Sequence, residues 1–244
     1  ESPVAVLTPT TPGDCFWMAI EAVRLAVKFM TPVVFMSDAY LATGSEPWRI
    51  PDPSEIRPIR VEKPKDSTGY QPYARAEATL ARAWVSPGAP GFEHRIGGLG
   101  KEDVTGNVSY LPKDHENMVR IRHAKVARVA EFIPDIEVRG PESGELLVLG
   151  WGGTSGAIRG AVERAQSLGK SVASAHLRFL NPFPKNLGEV IDRYDRVLIP
   201  ELNLGQLAML IRSAYNIKVE MQNKVQGQPF KISEIEQQIL KMLA

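Results

Sequence analysis

The chain has 244 residues, enough for one large domain or two ordinary ones, and is 43% hydrophobic and 23% charged, as globular proteins are. With 29 basic against 28 acidic residues the net charge is +1, which leaves no electrostatic footprint for nucleic acid or for an anionic membrane surface. No apolar run approaches the ~20 residues that cross a bilayer, and Cys15, the one cysteine, excludes a disulfide framework or an iron–sulfur site built from this chain's thiols.

A lone thiol fits a reducing cytoplasm. The sequence opens Glu1-Ser2-Pro3-Val4, without an initiator Met or a signal-peptide pattern, and is strand-like at once. That abruptness reads as the carboxyl-terminal part of a longer polypeptide.

Val4 to Leu7 has the short apolar run of a buried strand. In Thr11-Pro12-Gly13-Asp14, Thr11 suits an N-cap, Pro12 the first helical position and Asp14 the return arm of a capping box. From Phe16 to Met30 the spacing is helical, with Phe16, Ala19, Ile20, Val23, Val27 and Met30 on the expected buried face. Pro32 ends that helix, and Val33 to Met36 reads as a second buried strand. Strand, helix and strand in so short a span make a βαβ unit with parallel strands. The loops at Thr8–Thr11 and Ser37–Ser45 then lie side by side at the carboxyl edge, where open α/β sheets hold their ligands. Ser37, Asp38, Thr43 and Ser45 are the ligand-edge candidates on that positional argument.

Residues 49–144 carry ten of the 19 prolines and read as an irregular connection wrapped on a surface. Within it, Phe92–Leu99 and Thr105–Tyr110 predict tight turns or a hairpin, and Asp114–Ile133 predicts a long helix. Arg120, Arg122, Lys125 and Arg128 on that helix read as a solvated face, and Trp84, Phe92, Ile96 and Leu99 as residues facing a partner or another domain. From Glu145 strands and helices alternate: strands at 146–149, 171–175, 196–199 and 217–221, helices to Leu168, at 185–193, 204–215 and 233–243. Ser233-Glu234-Ile235-Glu236 resembles a capping box for the last one. This alternation predicts a doubly wound parallel sheet.

Gly150-Trp151-Gly152-Gly153-Thr154-Ser155-Gly156 is a glycine-rich turn at a helix start, where backbone N–H groups can hold phosphate. The spacing departs from the dinucleotide fingerprint, and His176 stands where an acidic residue should end the second strand, so close helix–strand packing is the stronger reading. His94, His115, His123 and His176 lack metal-ligand spacing. Cys15, in the first turn of a helix, has no His or Asp placed by sequence to activate it.

The runs Thr8-Pro9-Thr10-Thr11-Pro12-Gly13-Asp14-Cys15-Phe16, Ser37-Asp38-Ala39-Tyr40-Leu41-Ala42 and Gly44-Ser45-Glu46-Pro47-Trp48 resemble the α subunit of 2-oxoacid:ferredoxin oxidoreductases. Gly97-Gly98-Leu99, Thr105-Gly106-Asn107-Val108-Ser109-Tyr110 and His115–Arg122 are similar to its 2-oxoglutarate branch. The resemblance implies that residues 1–48 are the last βαβ of a thiamine-diphosphate pyrimidine-type domain. Residues 49–144 would be a linker and 145–244 a transketolase C-terminal-like domain. It implies an enzyme that decarboxylates a 2-oxoacid, passes two electrons to ferredoxin and gives the acyl group to coenzyme A, with the reverse direction fixing carbon dioxide. Thiamine diphosphate, Mg2+ and a [4Fe-4S] cluster would sit mainly on a β subunit, in a dimer of αβ units. No catalytic residue carries over onto this chain, and Ala39 stands where the family often has Gly. The alternatives are a pyruvate-type oxidoreductase or 2-oxoacid dehydrogenase β-type subunit, and a non-catalytic assembly module.

Overall fold

The structure, a computed structural model, describes residues 2–244. The chain divides into two compact units. The first takes in residues up to Ala5, Ile20–Val34 and Arg49–Phe132; the second takes in Val6–Ala19, Phe35–Trp48 and Ile133–Ala244.

The second unit is built on a five-stranded sheet. Its strands are β3 (Val138–Arg139), β4 (Gly144–Trp151), β5 (Val172–Leu177), β7 (Tyr194–Glu201) and β8 (Glu220–Asn223), in the order β3-β5-β4-β7-β8. β5, β4, β7 and β8 are parallel, and β3 adds an antiparallel edge through Val138–Ala175 and Arg139–Ser174. Leu146, Leu147, Val148 and Leu149 are all fully buried, the mark of a central parallel strand covered on both faces. Leu146 and Val148 pack with Ile158, Ala161 and Val162 of α4 (Ser155–Ser167) and with Ile235 and Ile239 of α7 (Ile232–Met242). Leu147 and Leu149 pack on the other side with α5 (Leu187–Ile191) and α6 (Gln206–Tyr215). The doubly wound expectation is therefore met.

Helix ends follow local chemistry. Gly169, at φ +77°, ends α4 with its N–H on Gln166 O at 2.9 Å. The cap of α7 differs from expectation. Glu234, not Glu236, reaches back, accepting from Lys231 N at 2.7 Å and from the buried Lys224 ammonium at 2.8 Å. Glu236 instead lies 3.3 Å from Arg164, because the helix starts before Ser233.

At the other end of the sequence, β1 (Ala5–Leu7), β2 (Val33–Phe35) and β6 (Phe179–Asn181) form a sheet of order β2-β1-β6. Val6 and Leu7 pair antiparallel with Asn181 and Phe179, a strand the sequence reading missed. Two expectations fail here. β2 is an edge strand and not a buried one, with Val34, Phe35 and Met36 all exposed. In α1 (Asp14–Phe29) the buried positions are Met18, Leu25 and Phe29, while Val23 is 54% exposed. Apolar residues surround this helix, so periodicity alone could not choose the face.

Besides the Ile20–Phe29 part of α1, the first unit has little regular structure other than α3 (Pro112–Ala127), which continues as a 3-10 turn over Arg128–Phe132. Met118, Val126 and Val129 are buried, and Phe132 meets Phe29 edge-on at 5.3 Å. The expected hairpin closes between Gly100 and Ser109, turning at Gly106. Unpaired carbonyls of the loops and of the carboxyl end of α1 are met by side chains. Trp84 Nε1 donates to Val27 O (2.8 Å), Lys101 Nζ to Arg95 O (3.0 Å), Lys125 Nζ to Met30 O (3.0 Å) and Arg82 to Pro72 O (3.3 Å). Trp84 and Phe92 thus have neighbours within the unit, Phe92 meeting Tyr70 edge-on, whereas Ile96 is 81% exposed and Leu99 is exposed too.

Lys125 departs most from the solvated face expected of it. Burial, reinforced by Arg75, Arg82 and Arg122, pushes its ammonium down to about 8. The unfolded chain therefore holds this proton to higher pH than the folded one, so stability rises between pH 8 and the ordinary lysine value of 10.5. Lys125→Met is expected to flatten that rise in urea titrations compared across this range.

Candidate functional site

The carboxyl edge of the second unit is organised by carboxylates that bind backbone N–H groups. α2 (Ala39–Thr43) begins at Asp38, whose Oδ1 accepts from Leu41 N at 2.9 Å. The same carboxylate reaches the glycine-rich turn, Oδ2 accepting from Gly153 N at 2.6 Å. Gly152, at φ +59°, and Gly153 make this approach possible: a Cβ on Gly153 would lie 2.7 Å from Asp38 Oδ2. The turn that invites a phosphate thus already holds an anion from its own chain. Glu201, fully buried at the end of β7, does the same for α6, accepting from Leu207 N at 2.9 Å and Ala208 N at 3.1 Å while Trp151 Nε1 donates to it at 3.2 Å. Order β5-β4-β7-β8 puts the topological switch point between β4 and β7. Both helix N-termini there are filled.

The loop after β2 is pinned a second time. Glu46 Oε1 accepts from Gly13 N at 2.5 Å and from Thr11 Oγ1 at 2.7 Å, and Trp48 packs on Phe16 at 5.3 Å. Thr11 caps α1 through Asp14 N at 3.2 Å, as expected, but Asp14 turns its carboxylate to Thr10 N and Oγ1 (2.9 and 3.0 Å) and to Arg178 in a two-pronged ion pair. Of the four ligand-edge candidates, Asp38 is thus engaged within the chain. Thr43 Oγ1 bonds Ala39 O at 2.5 Å, and Ser37 and Ser45 lie exposed on the same loop.

Beside this edge lies a cleft of about 600 Å3, within the second unit. Thr10, Asp14, Trp17, Glu46 and Trp48 line it from the amino-terminal side, Ser155, Ile158 and Arg159 from α4, and Arg139, Ser174, His176 and Arg178 from the β3–β5 edge. Arg139, Arg159 and Arg178 escaped sequence reasoning because β3 was not foreseen and nothing local marks Arg178 as the partner of Asp14. His176 packs under the turn, with Nε2 3.0 Å from Gly152 O and Nδ1 buried without a partner. Burial, opposed by the Gly152 carbonyl and helped by Arg139, lowers its pKa to about 4. The other histidines are scattered: His94 Nδ1 lies 2.8 Å from Phe92 O, and His115 and His123 are exposed on α3. Cys15 Sγ faces Thr11 O at 3.6 Å. Among the described residues no three His, Cys, Asp or Glu side chains gather as a metal site would need, and no helix is long and apolar enough to cross a membrane.

Known proteins share this architecture. Residues 1–110 match the family described as pyruvate flavodoxin/ferredoxin oxidoreductase, thiamine diphosphate-binding, and residues 144–235 match pyruvate:ferredoxin oxidoreductase core domain II. The 2-oxoglutarate oxidoreductase subunit KorA of Mycobacterium tuberculosis is 51% identical over 100% of this chain and 37% of its own length. The chain belongs to the 2-oxoacid:ferredoxin oxidoreductase family, as a relative of its α subunits. A second such α subunit, 2-oxoacid:ferredoxin oxidoreductase 2 of Aeropyrum pernix, is 30% identical over 100% of the chain and 39% of its own length. The solved 2-oxoglutarate:ferredoxin oxidoreductase of Magnetococcus marinus, with 2-oxoglutarate, coenzyme A and succinyl-CoA bound, superposes on all of this chain and 43% of its own with a TM-score of 0.93 at 29% identity. The chain therefore spans well under half the length of these relatives.

Two outcomes follow from the edge chemistry. Asp38→Asn and Gly153→Ala each disrupt the carboxylate–glycine contact and are expected to cost about 1–3 kcal/mol in chemical denaturation. His176 binds its proton only near pH 4 when folded but at 6.5 when unfolded, so stability is complete above 6.5 and falls as pH drops toward 4. His176→Gln is expected to remove that dependence, which amounts to up to about 3 kcal/mol.

Proposed function

We propose that the chain is part of the α subunit of a thiamine-diphosphate-dependent 2-oxoglutarate:ferredoxin oxidoreductase. The reaction converts 2-oxoglutarate, coenzyme A and oxidised ferredoxin to succinyl-CoA, carbon dioxide and reduced ferredoxin, and is reversible. What supports this most is the whole-chain superposition on the M. marinus enzyme, joined by the 51% identity to a 2-oxoglutarate-named subunit. In this reading residues 1–48 close a pyrimidine-type thiamine domain, 49–144 are the connecting linker and 145–244 are the transketolase-like domain.

The working site is shared. Cys15 is a single thiol and the described residues do not assemble a metal site, so this chain's residues fit neither a [4Fe-4S] cluster nor Mg2+. We assign both, with the thiamine diphosphate ligands, mainly to a β subunit, in a cytoplasmic dimer of αβ units that also needs the remainder of the α chain and docks ferredoxin. The part left to this chain is to hold the rim at which the subunits meet. Asp38 and Glu46 fix the loop between them, and with it Ser37, Thr43 and Ser45 as the ligand-edge side chains.

Pyruvate is the competing substrate, since both family descriptions are written for pyruvate enzymes. The native complex containing this chain is expected to reduce ferredoxin or a viologen dye in the presence of coenzyme A and 2-oxoglutarate, with kcat/KM for pyruvate at least about a hundredfold lower. Turnover on pyruvate instead would keep the family and reject the substrate. Failure of both in a complex with intact clusters would reject the activity.

A further inference from the structure

Lys125 has no part in the proposed reaction, and its surroundings are hostile to a cation. It is half-buried on α3 and makes no ion pair among the described residues. Its one hydrogen bond runs from Nζ to Met30 O, 3.0 Å away at the carboxyl end of α1. Three guanidiniums act on it: Arg122 of its own helix, and Arg75 and Arg82, which pair across an isolated antiparallel bridge. Of these, Arg75 has an anionic partner, Asp103 at 3.4 Å. Arg82 is turned to Pro72 O and to the Tyr73 ring, and Arg122 makes no ion pair among the described residues. α1 brings only Lys28, set over the Phe132 ring, and Arg24, already paired with Glu21. All of these groups belong to the first unit, which leaves a cluster of cations short of an anion.

Burial first, and then the three arginines, bring the Lys125 ammonium down to about 8. Near that pH about half of the side chain is free amine, against under about one per cent for an ordinary lysine. A desolvated amine of this kind is a nucleophile. Its electrophile has to be small and uncharged, to enter a half-buried site among cations, and its product has to be anionic. An acyl thioester is too bulky for the first condition. Carbon dioxide meets both.

We propose that Lys125 is a carboxylation site, at which carbon dioxide adds to Nζ to give a carbamate. The lone pair of the neutral amine attacks the carbon, one C–O π pair moves to oxygen, and the nitrogen gives one proton to water. The product, Nζ–COO−, keeps one N–H to donate to Met30 O. Its two oxygens supply the anion that Arg75, Arg82 and Arg122 lack, and so tie α3 to the Arg75–Arg82 bridge. No oxidant or second substrate is needed. Dissolved carbon dioxide suffices, so the site stands independently of the reaction proposed above.

The test incubates the complete α chain and its partner subunit with isotopically labelled bicarbonate, traps carbamates with triethyloxonium ion and locates them by peptide mass spectrometry. At about pH 8.5, label on Lys125 is expected to exceed that on Lys113, an exposed lysine of the same helix, at least about tenfold. At equal dissolved carbon dioxide it is expected to fall at least about tenfold by pH 6.5, as the amine is protonated. Arg122→Gln alters an exposed side chain and is expected to lower the label at least about threefold, while Lys125→Arg abolishes it. The site is overturned if Lys125 carries no more label than Lys113, if the label ignores pH or Arg122→Gln, or if the adduct is an acyl group.

Discussion

A helix that starts against a sheet leaves backbone N–H groups with no partner, and something negative must be brought to them. In the second unit that requirement is met from within. Asp38 lies between Leu41 N and Gly153 N, and Glu201 between Leu207 N and Ala208 N, so both sides of the switch point are closed by the protein's own carboxylates. The positions of the β2 loop, the turn after β4 and the turn after β7 all depend on these bonds. A fold that elsewhere holds ligands at this point here uses the same physics as internal mortar, and open volume is displaced to the β3–β5 edge.

The first unit solves the opposite problem. Its loops, and the carboxyl end of α1, present carbonyls that no ladder satisfies, and Lys101, Lys125, Arg82 and Trp84 cross the chain to donate to them. Four such bonds replace what a sheet would provide, at the cost of desolvating cations near one another. Lys125 bears that cost most plainly, surrounded by Arg75, Arg82 and Arg122. A segment rich in proline, which cannot donate from its own nitrogen, depends on side-chain donors of this kind.

Much of the architecture could be read from the sequence because burial on both faces writes an unmistakable pattern. Leu146–Leu149 reads as a strand, and the helix after it as running to Leu168, where Gly169 does end it. The failures have physical causes. α1 is apolar around most of its circumference, so its covered face is set by what packs on it rather than by spacing. Three-residue β6 and two-residue β3 are too short to carry a period, and they exist because a neighbouring strand, β1 or β5, offers each of them an edge. At the site, the position of Asp38 is legible in the sequence but its task is not, since the N–H it binds belongs to a residue 115 positions away. Asp14 and Arg178, 164 apart, were invisible as a pair for the same reason.

The glycines at 152 and 153 have a consequence for inference by pattern. A carboxylate side chain and a nucleotide phosphate impose the same steric demand on the turn that receives them, so both write the same letters into the sequence. The message is degenerate: glycine there reports that an anion comes close, without saying whether it arrives by diffusion or is tethered to the same chain. The distinguishing signal sits in a distant loop, as an aspartate at the start of α2. A glycine-rich motif in a doubly wound domain is therefore best decoded together with the acids able to reach it.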